Sequence, residues 1–330
     1  MRILITGITG FVGSHLAEYI INRKERHDVF GLCRWRSPRE NLSNVYDKVS
    51  LIEADICDMG ALIRHFEAVK PDVIFHLAAQ SYVLTSFNSS IHTLWSNVIG
   101  TANLLEAVRI NRIDPIIHIC SSSEVYGQVS EADVPIRETC PLKPASPYAV
   151  SKVGEDMLGL QYWLSYQIKT IRTRMFTHTG PRRGDVFALS FFAKQIAAAE
   201  QGLKEPVINV GNLKSVRTFC DVRDAVRAYW ILVNQCKPGE VYNIGGNRTM
   251  TIGDALNSLL SFSSTKFEIR VDPKLLRPSD VTLQIPCTDK FRDETGWTPE
   301  IPLEKTLEDM LNYWRDELSR NPWKALTVVR

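Results

Sequence analysis

A short apolar run, residues 2 to 6, passes directly into Gly7-Ile8-Thr9-Gly10-Phe11-Val12-Gly13, and a helical pattern follows through Leu16, Ala17, Ile20 and Ile21. A strand, a glycine-rich turn and a helix in that order leave few folds open. Glycines let the backbone turn tightly and approach a diphosphate, whose charge is met by the helix N-terminus. The spacing is G-x-x-G-x-x-G rather than G-x-G-x-x-G, and three glycines alone also make a plain strand-to-helix turn. Their position at the end of a first strand favours a dinucleotide site built from Gly7, Thr9, Gly10, Phe11 and Gly13.

The next segments keep the same rhythm. A second strand, residues 27 to 33, ends in Arg34-Trp35-Arg36-Ser37. An NAD site would carry an acidic residue there for the adenosine ribose, whereas Arg34 and Arg36 suit a 2′-phosphate, so NADP is expected over NAD. As solvated loop charges they would carry no such meaning. Residues 49 to 54 read as a third strand, with Asp55 and Ile56 at its end to hold an adenine. A helical segment runs to Val69, and residues 71 to 79 form a fourth strand whose carboxyl end, with Leu77, Ala79 and Gln80, should face the cofactor. His76, inside that strand, reads as a packed core histidine, since no His or Cys partner has metal spacing and no metal is expected. A helix over residues 90 to 111 and a fifth strand over 115 to 119 complete five alternations, the pattern of an α/β, Rossmann-type, doubly wound parallel sheet.

The fifth strand delivers Ser121-Ser122-Ser123-Glu124, and Ser146-Pro147-Tyr148-Ala149-Val150-Ser151-Lys152 opens a helix. Ser146 is placed as N-cap and Pro147 as first helical residue, so Tyr148 and Lys152, at i and i+4, share one face. Ser122 and Glu124 stand at i and i+2 and would point to one side of an extended strand end. An ammonium near a phenol lowers the phenol's pKa, which makes Tyr148 a candidate general base.

After a sixth strand, residues 169 to 175, the pattern loosens. Helices over residues 185 to 201, 221 to 234, 251 to 260 and 302 to 319 alternate with short strands. Residues 1–175 are expected to be mainly the cofactor domain. Residues 176–330 are expected to be mainly a smaller, interwoven α/β substrate domain, with segments returning to the first and a loose tail after Asn321. Lys plus Arg is 39 and Asp plus Glu is 37, a formal net charge of +2, so bulk electrostatics favour neither nucleic acid nor a membrane surface. The seven cysteines include no Cys-x-x-Cys pair, and no stretch approaches 18 apolar residues. A soluble, cytoplasmic protein with reduced thiols is the simplest expectation.

These residues together resemble the extended short-chain dehydrogenase/reductase superfamily and, within it, the nucleotide-sugar-modifying enzymes. The marks are the Gly7/Gly10/Gly13 turn, Asp55, Leu77-Ala78-Ala79, Asn97 with Gly100-Thr101, the serine strand end and Tyr148-x-x-x-Lys152. Closer still, Ala79-Gln80-Ser81, Ser122-Ser123-Glu124, Pro181-Arg182-Arg183-Gly184, Gly211-Asn212-Leu213 and Leu276-Arg277-Pro278-Ser279-Asp280 resemble GDP-mannose 4,6-dehydratases, whose near relatives are the GDP-4-keto-6-deoxymannose reductases. The dehydratase resemblance implies Ser122, Tyr148 and Lys152 for hydride-transfer chemistry and Glu124 for proton removal at C5. It implies Ser86, Thr177, Arg183, Arg217 and Arg277 toward a GDP-linked hexose, and a homodimer or homotetramer. Phe11-Val12 in the glycine turn, Arg217-Thr218 and Phe191 depart from the dehydratase pattern, so the reductase and, more remotely, a nucleotide-sugar epimerase stay open.

Overall fold

The computed structural model describes residues 1–326. The first six strands, β1 (Arg2–Thr6), β2 (Asp28–Cys33), β3 (Val49–Glu53), β4 (Val73–His76), β5 (Ile116–Ser122) and β6 (Thr170–Met175), join one parallel sheet. Its seventh strand arrives much later in the chain. β7 (His178–Thr179), β8 (Val207–Val210) and β9 (Val216–Asp221) come first, and β10 (Val241–Ile244) then returns to pair with β6. The sheet order is β10-β6-β5-β4-β1-β2-β3.

Alternation along the strands explains why helices cover both faces. Ile3 and Ile5 of β1 pack into one buried cluster with Leu16 and Ile20 of the helix Phe11–Ile21, while Leu4 packs into the opposite cluster with Phe66, Leu104 and Leu105. β4 does the same, with Val73 and Phe75 on the first face and Ile74 on the second. Every other side chain of a strand faces the same layer, so a strand buried on both sides must be apolar throughout. The chain leaves β1 toward β2 on one side, and β4 lies on the other. That reversal opens a crevice at the carboxyl ends of β1 and β4, where ligands of such sheets bind.

β11 (Arg248–Thr251), β12 (Glu268–Val271) and β13 (Leu283–Gln284) build the smaller part. β9 is paired with β11, β13 and β7, and β8 pairs with β12. A separate apolar cluster joins the helices Ala188–Glu200 and Leu303–Arg320, with the Trp314 indole N–H donating to Ser190 Oγ at 2.9 Å.

Several element ends differ from the sequence reading for identifiable reasons. β4 stops at His76 because the Leu77 and Ala78 amides donate to Thr6 Oγ1 instead of extending the ladder. The expected helix over 90–111 carries a π-type turn at Trp95–Ile99, preceded by a separate short helix, Val83–Asn88. Beyond Asn321, residues Pro322–Leu326 form a 3-10 turn with Ala325 buried, so the described part of the expected tail is packed. The remainder lies outside the described residues.

Candidate active site

The crevice is a cleft of about 630 Å³ that reaches from the glycine turn to the β9 sheet. Gly7 adopts φ +69°, a left-handed conformation that favours glycine, and Gly13 sits where a Cβ would lie 2.3 Å from the Gly7 carbonyl oxygen. The helix Phe11–Ile21 therefore starts hard against the turn, and among the described residues no side chain caps its N-terminus. Uncapped first-turn N–H groups beside a glycine cradle are what a diphosphate needs. Thr9, Gly10 and Phe11 line the same wall, and Arg34, Ser37, Asp55 and Ile56 continue it, so the residues fit a dinucleotide. Arg36 lies off the cleft wall, its guanidinium 4.2 Å from the centroid of the Trp35 ring. Leu77, Ala79 and Gln80 line the cleft, and Gln80 is clamped by Asn97, which accepts from its N–H at 2.8 Å and donates to its carbonyl at 3.0 Å.

Tyr148 and Lys152 follow from local sequence. Ser146 Oγ accepts from the Ala149 N–H at 3.1 Å and Pro147 occupies the first position of the helix Pro147–Tyr166. Both side chains project into the cleft beneath Ser122. The serine end differs from the expected extended strand. β5 ends at Ser122, a 3-10 turn (Ser123–Tyr126) follows, and the Glu124 amide donates to Ser122 Oγ at 3.2 Å. The turn still leaves Ser122 and Glu124 on the cleft wall.

The expected lowering of the Tyr148 pKa is corrected. Burial pushes the phenol up, and this outweighs the lowering by Lys152 and by the Ser122 hydroxyl. Lys152 Nζ donates to the Cys120 carbonyl and to Glu155 Oε2, both at 2.8 Å. Burial disfavours that ammonium, yet Glu155 and Tyr148 hold its pKa above the ordinary lysine range.

Around the far end, Thr177, Arg183, Arg217 and Arg277 all line the cleft. Arg183 lies over the Phe187 ring at 3.6 Å, and burial brings its guanidinium down to about 10. Arg217 donates to the Val281 carbonyl, and Arg277 stands 3.8 Å from Glu124 and 3.7 Å from Asp280. Ser86 is the exception among the expected substrate residues: it is wholly buried, off the cleft wall, and its hydroxyl donates to the Val83 carbonyl at 2.6 Å. His76 is a core residue held between the Thr6 and Thr101 hydroxyls at 2.9 Å each.

Sequence reading missed two buried polar groups. Glu155 stands three residues after Lys152, a helical spacing that puts them in contact, so the signal was present. Gln284 had none, because only the pairing of β13 with β9 brings it beside Arg217 and Ser123. Gln284 is 2% exposed and lines the cleft; its amide oxygen accepts from Ser123 Oγ, and its nitrogen has no partner among the described residues.

A doubly wound sheet with a glycine turn at its switch point, and a serine, tyrosine and lysine converging below it, defines an extended short-chain dehydrogenase/reductase of the nucleotide-sugar-modifying branch. The family model described as GDP-mannose 4,6 dehydratase matches residues 4–310, and the chain belongs to that family. It is 32% identical to a GDP-6-deoxy-D-mannose reductase of Pseudomonas aeruginosa, over 96% of this chain and 98% of that one. It is also 32% identical to a GDP-mannose 4,6-dehydratase of Yersinia enterocolitica, over 94% and 92%. The solved structure of RMD from Pseudomonas aeruginosa complexed with NADPH superposes with a TM-score of 0.83, at 30% identity over 96% of this chain and 99% of that one.

Proposed function

We propose that this protein is an NADP-dependent nucleotide-sugar 4,6-dehydratase that converts GDP-mannose to GDP-4-keto-6-deoxymannose. The observation that carries the reading is the carboxylate of Glu124, two residues beyond Ser122, on the wall of the cleft that Ser122 and Tyr148 also line. The chemistry a nicotinamide cofactor supplies when bound is a reversible hydride store, filled from C4 and emptied onto C6. Gly7, Thr9, Gly10, Phe11 and Gly13 would hold its diphosphate, Arg34 its 2′-phosphate, and Asp55 and Ile56 its adenine. Leu77, Ala79, Gln80 and Lys152 would flank the nicotinamide half. In this reading residues 1–175 mainly bind cofactor and residues 176–330 mainly the nucleotide sugar.

Tyr148 takes the proton of the sugar 4-hydroxyl as that carbon becomes a ketone, with Ser122 donating to the same oxygen and Lys152 opposing the burial that disfavours the phenolate. The ketone acidifies the C5 hydrogen. Glu124 takes that proton and passes it to the 6-hydroxyl, which leaves as water. Once C6 is reduced, C5 takes up one proton and Tyr148 gives up the one it took from the 4-hydroxyl, so that one water is the only net loss. Arg217 and Arg277, planar donors at the outer end, meet the nucleotide diphosphate, with Arg183 and Thr177 beside them.

The test is to incubate the pure protein with GDP-mannose and a trace of NADP and weigh the sugar. Loss of one water with no net NADPH change is expected, and Glu124→Gln should still pass hydride to the cofactor while failing to lose water. Full dehydration by that variant would refute the role of Glu124. A second reading, NADPH-dependent reduction of the 4-keto-6-deoxy sugar, is supported by the likeness to the Pseudomonas reductase. NADPH oxidation by that ketone, without reaction on GDP-mannose, would select it.

A further inference from the structure

Glu155 has no part in the chemistry set out above, yet its Oε2 lies 2.8 Å from Lys152 Nζ, with side-chain exposures of 1% and 6%. Its other oxygen, Oε1, is buried without a hydrogen-bond partner among the described residues. Lys152 has three N–H donors, and two are committed, to Cys120 O and to Glu155. The ammonium that should serve Tyr148 therefore spends much of its field on a carboxylate behind it.

We propose that Glu155 is a positioning residue which, by drawing on the charge of Lys152, sets how readily Tyr148 releases its proton. The proposal rests on Tyr148 as the acid–base group of the proposed function.

The groups packed around this pair are mostly uncharged or already ion-paired. On the same helix, Asp156 is held by both Arg172 and Arg174 of β6, each at 2.8 Å, a triad of net charge +1. From β4 and β5, His76 and His118 are held down to about 3 by burial and carry no charge at neutrality. The Cys120 thiol of β5 and the Tyr229 phenol of the helix Val222–Gln235 are both pushed up by burial and stay protonated. The charges that act on Tyr148 are the Lys152 ammonium and the Glu155 carboxylate, together with the buried Arg183 guanidinium on the cleft side, and of these only Glu155 is an anion. Burial pushes Glu155 up to about 7, so the anion is present mainly above neutrality. A negative charge there makes the phenol harder to ionise, and Glu155 acts on Tyr148 in that direction. Removing it should make Tyr148 a stronger acid and return the whole field of Lys152 to the phenol.

The experiment is an alkaline titration of the tyrosinate absorbance, with and without NADP, in which subtraction of the matching Tyr148→Phe variant isolates Tyr148. Glu155→Gln should move the Tyr148 midpoint down by on the order of one pH unit. Glu155→Asp, which keeps the charge, should move it less. If the Gln variant does not fold, Glu155→Met removes the charge without an amide to satisfy and is read the same way. In turnover, the limb of the pH profile above neutrality should shift in the same direction. An unchanged midpoint in the charge-removing variant, or an equal shift in the Asp variant, overturns the proposal. The absorbance needs no turnover, so a shifted midpoint in a protein inactive on GDP-mannose would refute the substrate assignment and leave this one standing.

Discussion

Replacing Gly13 with alanine tests whether the glycine turn is built by contact or only by conformational preference. A Cβ at Gly13 would lie 2.3 Å from the Gly7 carbonyl oxygen, 2.7 Å from Ile8 Cα and 2.9 Å from the Gly7 carbonyl carbon, all backbone atoms that cannot rotate away. To regain ordinary contact the helix Phe11–Ile21 must withdraw by roughly 1 Å. Its inner face carries Leu16, Ala17 and Ile20, each fully buried, so withdrawal loosens the core between helix and sheet. Overpacking of this kind costs about 2 kcal/mol, which lowers the folded-to-unfolded ratio by roughly thirtyfold. The uncapped helix N-terminus moves with the helix, so NADPH affinity should fall as well. Gly10→Ala is the internal comparison: its Cβ meets only the Gly7 oxygen, at 3.1 Å. It should leave stability nearly intact while weakening cofactor binding. Urea unfolding followed by intrinsic fluorescence reads the first quantity, and NADPH fluorescence titration the second. A Gly13→Ala protein as stable as the parent would show that the close approach of helix and turn does not constrain the fold.

Two further outcomes follow from the buried charges. Asp156→Ala should cost about 3–5 kcal/mol in urea unfolding, because Arg172 and Arg174 would be left buried without a counter-charge; a loss below about 1 kcal/mol would mean that water or other groups replace it. Burial holds His76 down from 6.5 to about 3, so the unfolded chain binds its proton more readily between those values. That contribution to stability is present above the unfolded pKa and is lost as the pH falls toward the folded one. By pH 5 the loss amounts to about 2 kcal/mol for this histidine. His76→Gln should make the fall in stability between pH 7.5 and pH 5 shallower, and an unchanged slope would refute the assignment.

Much of the candidate site is local in origin, which is why it could be read from the chain. The glycine turn depends on three residues within seven positions, and Tyr148 meets Lys152 through a helical spacing announced by Ser146 and Pro147. The alternation of apolar strands and helices likewise required a sheet covered on both faces. Placement departs from expectation where competing partners intervene. Arg36 found Trp35, Ser86 found its own helix carbonyl, and β4 surrendered two amides to Thr6.

What the amino-acid order determines by itself is therefore the identity of the chemical groups and the elements that carry them, since turns, caps and helical faces are set within a few residues. Tertiary structure alone decides their electrical state and their neighbours. Arg277 reaches Glu124 across a large separation in sequence, Gln284 enters the cleft through the β13–β9 pairing, and burial reverses the expected shift of Tyr148. The reason is physical: the strength of a charge depends on how much water the fold removes from it, and no spacing along the chain records that.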